Sequence, residues 1–195
     1  QDLTGSGSAI SNGDNPNFPA SNAFDLFQTQ WRSTQYGPDV MSSYIGYDFG
    51  EILLDNNRKR YGVETFVKFD VSSIKIRQGC RKENRVTKAR VERSNDGVKW
   101  YGVQVVDFPD CEGAAKVNFK RSVPSRFWRL RPVAFNGGAN DGWEVQAIQL
   151  LDYEATDVNN IQDRILLENR DRDYDENPIR MKGSYTPVDV QAFQS

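Results

Sequence analysis

An antiparallel β-sandwich is the fold class that three observations in this sequence predict. First, two runs alternate apolar and charged residues with the two-residue period of a half-buried strand: Ile74 and Ile76 against Lys75 and Arg77, then Ala89 and Val91 against Lys88, Arg90 and Glu92. Second, Asn95, Asp96 and Gly97 follow the second run; these residue types tolerate positive φ, so the chain can turn tightly and return through residues 100–106. Third, short runs at 44–49, 117–120, 127–132 and 143–151 are separated by turn residues, and no helix long enough for a parallel crossover lies before residue 155.

Taken in order, residues 1–19 are rich in Gly, Ser, Asn and Pro, which predicts an extended lead-in and a turn at Asn12, Gly13 and Asp14. Ser21 or Asn22 can then start one helical turn with Ala23, Phe24 and Phe27 facing inward. Residues 44–49 read as a core strand ending in Gly50. Residues 53–66 fit neither period, contain Arg58, Lys59 and Arg60, and read as a solvated loop. Strand directions can be traced from there. Residues 74–79 run toward one end, the strand after the loop 81–85 runs away from it, and residues 100–106 run back, so Cys111 should arrive beside Cys80. A Cys80–Cys111 disulfide is therefore expected, closing a loop of about 30 residues and adding ~3 kcal/mol by restricting the unfolded chain. Its compartment would be oxidising. By the same tracing residues 117–120 leave that end and 127–132 return, which brings the loop 135–142 to the same rim. Trp100, Trp128 and Trp143 fall at strand positions and are expected in the core.

Composition narrows the chemistry. With 195 residues and 37% hydrophobic content the chain can bury one substantial core, so one domain with an appendage is expected. A net charge of -2 gives no general attraction to nucleic acid or an anionic membrane. No apolar run approaches the ~20 residues that span a bilayer. The chain opens at Gln1 without Met or a leader-like stretch, as expected of a soluble, processed or trimmed protein. Histidine is absent, which excludes imidazole-dependent nucleophile activation and His-bearing zinc sites within this chain. There is no phosphate-cradling glycine motif, no glycosylation sequon and no carboxylate pair that stands out, so an enzyme is not expected.

Seven segments, in order, carry a resemblance: NPNFPASNAFD, TQWRS, YIGYDFGE, SSIKIRQG, VTKARVERSNDGVKW, SRFWRLRPV and DGWEVQAIQLL. Across residues 8–153 this series resembles the discoidin domain, the coagulation-factor C-type module of the galactose-binding-like superfamily. The resemblance implies a jelly-roll sandwich that binds ligands through loops at one end, here residues 12–18, 27–34 and 79–85, with 135–142 beside them. It makes Phe18, Phe27 and Trp31 the aromatic candidates and Arg32, Arg77, Arg81, Lys82 and Arg85 the basic ones, with Asn136 from the fourth loop. The ligand it implies is a glycan, a lipid headgroup or a protein. Some relatives hold calcium beneath the loop after Phe-Asp, which makes Asp25 the candidate metal-binding carboxylate. The late-strand acid that assists it there falls near Ala147 here, and no cofactor is otherwise required. Residues 53–66 depart from the family as an insertion, and the family's terminal cysteine pair is missing.

The composition changes at Glu154, which divides a sandwich over 1–153 from an appendage over 154–195. Asp157 can cap a helix whose Val158, Ile161, Ile165 and Leu166 form one apolar stripe. Asp171, Asp173 and Asp175 resemble the start of an EF-hand loop, but Glu176 stands at the required glycine and Lys182 at the bidentate Glu, so no such site is expected. The last residues, with Pro178 and Pro187, suit an extended arm. The expected function is an extracellular or cell-surface, secreted, non-catalytic adhesion module that recognises a glycan or other surface ligand. The competing reading is a structural subunit of a larger extracellular assembly, in which residues 155–195 make the protein–protein interaction or self-associate.

Overall fold

The computed structural model describes residue 4 and residues 7–13, 15–25, 29–50, 69–110 and 113–152. Phe27, Cys111, the loop at 53–66 and the helix and arm expected over 154–195 lie outside the described residues.

Among the described residues nine strands form two antiparallel sheets. They are β1 (Ser8–Ser11), β2 (Trp31–Arg32), β3 (Ile45–Asp48), β4 (Val71–Gln78), β5 (Val86–Ser94), β6 (Tyr101–Asp107), β7 (Ala115–Asn118), β8 (Phe127–Phe135) and β9 (Glu144–Asp152). One sheet has five strands in the order β1-β3-β8-β5-β6, the other four in the order β2-β9-β4-β7. Almost no neighbours in this order are consecutive in the chain, so the connections cross between sheets and tie them together. This is the expected all-β sandwich.

The alternation read from the sequence is the alternation of the structure. Ile74 and Ile76 of β4 point into the core while Lys75 and Arg77 are exposed; Ala89 and Val91 of β5 do the same against exposed Arg90. Facing them are Ile45, Trp128, Leu130, Val145, Ile148 and Leu150, all buried in one cluster. Trp143 and Trp128 are in the core as expected. Trp100 is not: it is half-buried and lies outside the sandwich, for a reason that emerges below.

The helical turn begins one residue earlier than expected. It is a 3-10 turn over Ala20–Ala23, entered from Pro19, whose side chain cannot cap it, and Asn22 donates its amide to the Gln30 carbonyl at 3.1 Å. Ala20 and Ala23 are buried, and Phe24 packs on Tyr47 with ring centroids 5.0 Å apart. Among the described residues no helix is long and apolar enough to cross a membrane.

A buried amide joins the two sheets at one end. Gln78, the last residue of β4, accepts hydrogen bonds from Val86 N and Trp143 Nε1 at 2.8 and 2.9 Å and donates to Val86 O at 2.8 Å. A side chain here replaces ladder bonds where the strands diverge, so the buried backbone of β5 is paired without a neighbouring strand.

Candidate functional site

The strand directions bring loops 12–18, 33–37, 79–85 and 135–142 to the Gln78 end of the sandwich. Backbone bonds knit them into one rim: Ser33 N to Trp143 O at 2.9 Å, Gly37 N to Asp141 O at 2.9 Å, Gly79 N to Glu144 O at 2.9 Å and Asn136 N to Arg85 O at 3.1 Å. Gly37 has φ +55°, and a Cβ there would strike the backbone of Ala139, so only glycine lets those two loops close. Gly137 serves a similar contact, where a Cβ would meet the Glu83 carbonyl.

Arg32 is the centre of the rim's chemistry. Strand register sets it opposite Glu144, and the two form a cross-strand ion pair in which Glu144 is nearly buried and Arg32 about a third exposed. Its guanidinium lies 4.7 Å from the centroid of the Phe18 ring. Arg81 reaches outward from the third loop and bridges to Glu83 at 3.8 Å and Asp141 at 3.6 Å. Lys82 and Asn136 are exposed beside it.

Three buried polar atoms of one short segment, Trp31 Nε1, Arg32 Nε and Gln35 Oε1, have no hydrogen-bond partner among the described residues. Buried polar groups are rarely left so. The neighbouring Tyr36 is 45% exposed and rests its ring edge against the Gly142 position. Tyr36, Gln35 and Glu144 were not among the residues singled out from sequence. The TQYGP segment directly after the Trp-Arg pair is the signal that could have found Tyr36, and the outward Arg32 on a half-buried strand called for a carboxylate.

Several expected residues take other places. Trip-wise along the chain, Trp31 is completely buried and meets Trp143 edge-on, with centroids 5.2 Å apart and planes at 84°, so it supports the rim and offers no stacking face. Arg77 is exposed on the outer face of the four-stranded sheet, opposite Ala147 in register, and does not converge with Arg32 and Arg81. Arg85 is buried, not a loop tip: it donates to Gly79 O at 2.8 Å, Cys80 O at 2.6 Å and Asp110 Oδ1 at 3.0 Å.

The expected disulfide is corrected by the same residue. Cys80 carries a free, exposed thiol, whose sulfur accepts a bond from Gln146 Nε2 at 3.3 Å, and Cys111 lies outside the described residues. The segment before Cys111 does reach this rim, but the tie is the Arg85–Asp110 ion pair.

Residues 26–28, next to the candidate calcium carboxylate Asp25, lie outside the described residues. That carboxylate is exposed and takes the Thr29 hydroxyl at 3.4 Å, Ala147 brings no oxygen from its side chain, and no group of three His, Cys, Asp or Glu side chains that could hold an ion occurs among the described residues.

The sandwich has the fold of solved family 32 carbohydrate-binding modules. The CBM32-5 module of CpGH89 from Clostridium perfringens, in complex with GalNAc-β-1,3-galactose, superposes with a TM-score of 0.59 at 14% identity, covering 77% of this chain and 99% of that one. Chitosan-binding module 1 of a chitosanase/glucanase from Paenibacillus sp. IK-5 gives 0.56 at 18% identity over 77% and 98%. The family 32 module of NanJ from C. perfringens, in complex with galactose, gives 0.54 at 17% identity over 74% and 93%. Such modules also occur joined to catalytic domains, as in AlyQ with its alginate lyase domain. No protein-family model and no curated protein matches the sequence.

Proposed function

We propose that this protein is a non-catalytic carbohydrate-binding module that holds a glycan at the loop rim. The observation that carries the reading is the exposed Tyr36 ring beside the partly exposed Arg32 guanidinium and the exposed Arg81, Lys82 and Asn136 side chains. Saccharides match both features, since their hydroxyls donate and accept while their ring faces stack on aromatic side chains.

In this reading Tyr36 and Phe18 supply the apolar surfaces, Arg32 and Glu144 the fixed donor and acceptor, and Arg81, Lys82 and Asn136 the outer contacts. Arg81 is suited to an adjustable role because its ion pairs are long and exposed, so a ligand hydroxyl or carboxylate can replace them at little cost. The rim's backbone cross-links lower the ordering cost of binding. An extracellular or surface setting suits that ligand class, and adhesion is its simplest use.

The test is a glycan array with isothermal titration of each hit, on wild type and on the Tyr36→Ala, Phe18→Ala and Arg81→Ala/Lys82→Ala variants. Tyr36→Ala is expected to weaken binding about tenfold. Wild-type affinity in all three variants would remove the rim from consideration.

A further inference from the structure

The outer face of the five-stranded sheet carries a second concave feature, away from the rim contacts just described. It is an open groove of about 420 Å³ lined by Ala9, Ile10, Ser11, Gly13, Tyr44, Gly97 and Phe127. That is within the usual range for small-molecule sites, ~300–1,000 Å³.

Strand register sets what borders the groove. Ile10, Gly46, Arg129, Glu92 and Gly102 are successive cross-strand partners, so they form one row across the outer face. Of that row Ile10 lines the groove, and a Cβ at Gly46 would collide with Arg129, so the glycine lets Arg129 lie close over the sheet beside it. Arg129 lies flat along the row, held by Glu92 at 2.6 Å.

Two aromatic rings, Tyr44 and Phe127, line the groove, and Trp100 lies beside both. Trp100, the tryptophan expected in the core, is carried over this face by the hairpin after β5 and covers Arg129, with the guanidinium 3.8 Å from its ring centroid. Tyr44 covers the same guanidinium from the other side at 4.7 Å. Trp100 also lies 6.4 Å from Tyr44 and 6.3 Å from Phe127, which makes a continuous line of three rings. The line is fixed from outside as well: Asn12 Oδ1 accepts the Tyr44 N–H at 3.1 Å, Trp100 Nε1 donates to Gly97 O at 3.1 Å, and Arg126 stacks on Phe127 at 4.6 Å.

We infer that this groove is a second saccharide-binding site, selective for uncharged sugars, which shares with the rim only the turn at Asn12 and Gly13. None of its seven lining residues is charged. The guanidiniums nearest the wall are matched by carboxylates, Arg129 by Glu92 at 2.6 Å and Arg126 by Asp48 at 2.7 Å, so the wall offers ring surface without net charge. Its other side is β1, which among the described residues is an edge strand whose backbone can pair with hydroxyls. A peptide adding as a strand is the poorer fit, because β1 has four residues and ends at the Gly13 turn, which allows few ladder bonds.

The experiment is a ¹H,¹⁵N titration of the full chain with GalNAc-β-1,3-galactose, tri-N-acetylchitotriose and cellotriose as neutral probes and a mannuronate trimer as the anionic one. The amides of Ile10, Tyr44 and Gly97 and the Trp100 indole N–H should shift with at least one neutral sugar. Ile10→Trp, which fills the furrow from its outward position, and Tyr44→Ala should each weaken that binding about tenfold. Both variants should leave any rim shifts at Arg32, Tyr36 and Asn136 in place. Shifts confined to the groove support the inference while removing the rim reading. Shifts confined to the rim, shifts at the groove with mannuronate alone, or none with any probe, overturn the inference.

Discussion

The rim and the outer face of the five-stranded sheet use the same materials, arginines, carboxylates and aromatic rings, and assemble them in opposite ways. On the outer face the ion pairs are short, Arg129–Glu92 at 2.6 Å and Arg126–Asp48 at 2.7 Å, and they are roofed by Trp100, Tyr44 and Phe127. At the rim Arg81 reaches its partners only at 3.6 and 3.8 Å, and nearby polar atoms at Trp31, Arg32 and Gln35 have no protein partner among the described residues. Strand register fixes the first arrangement and, at the rim, the Arg32–Glu144 pair; loop–loop closure fixes the reach of Arg81. A surface set by register presents shape, whereas the loops leave Arg81, Lys82 and Asn136 exposed.

The largest effect should come from the residue on which the rim is built. Gln78→Ala leaves Val86 N–H, Val86 C=O and the Trp143 indole N–H buried without partners. At roughly 1–3 kcal/mol for each orphaned group, a loss of about 4 kcal/mol is expected in urea unfolding. A loss under about 1 kcal/mol would mean that the loops hold themselves, and the distinction drawn above would fail on the rim side.

The outer face is tested next. Arg129→Met strands the nearly buried Glu92 carboxylate and should cost about 3 kcal/mol, while the double variant Arg129→Met/Glu92→Met should recover most of it. If the double variant is as unstable as the single one, the pair is not what anchors the aromatic roof. Arg81→Ala is the matching experiment at the rim, and its exposed, long pairs predict a change within about 0.5 kcal/mol.

How much of this was legible from residues follows the same division. Strand alternation at Ile74/Ile76 and Ala89/Val91 exposes the two-layer fold directly, because burial on one face imposes a two-residue period. Loop convergence was also legible, since antiparallel directions determine which ends meet. What each side chain does there was not. Trp31 and Arg85 turned inward and Trp100 outward, although a tryptophan on a strand is normally core, because each placement depends on a partner far away in sequence: Trp143, Asp110 and Arg129. The Cys80–Cys111 expectation took a correct proximity of segments and assigned the wrong bond to it. Nothing local distinguishes a thiol that pairs from one beside an arginine strut.

The smallest effect concerns the hairpin that carries Trp100 over the groove. Asp96 is exposed, and the backbone N–H groups of Lys99 and Val98, each 2.8 Å from its Oδ1, together with the Ser94 hydroxyl, hold its carboxyl below the ordinary aspartate value. A lowered folded-state pKa means the charged form is favoured by folding, so this stabilisation is complete above the unfolded value and is lost as pH falls through the lowered one. The window therefore opens below about pH 4. Asp48 shifts in the same direction, its burial opposing but its bonds to Arg126 and Gly50 prevailing, so both ends of the outer-face wall loosen on the acid side. Following the Trp100 indole N–H by NMR from pH 6 to pH 2.5 should show a local change before global unfolding, and Asp96→Asn, which keeps the acceptor oxygen without the titration, should remove the hairpin's share. If the indole moves only together with the core Trp128 and Trp143 signals, the hairpin is not a separate unit and the groove wall is as rigid as the sandwich beneath it.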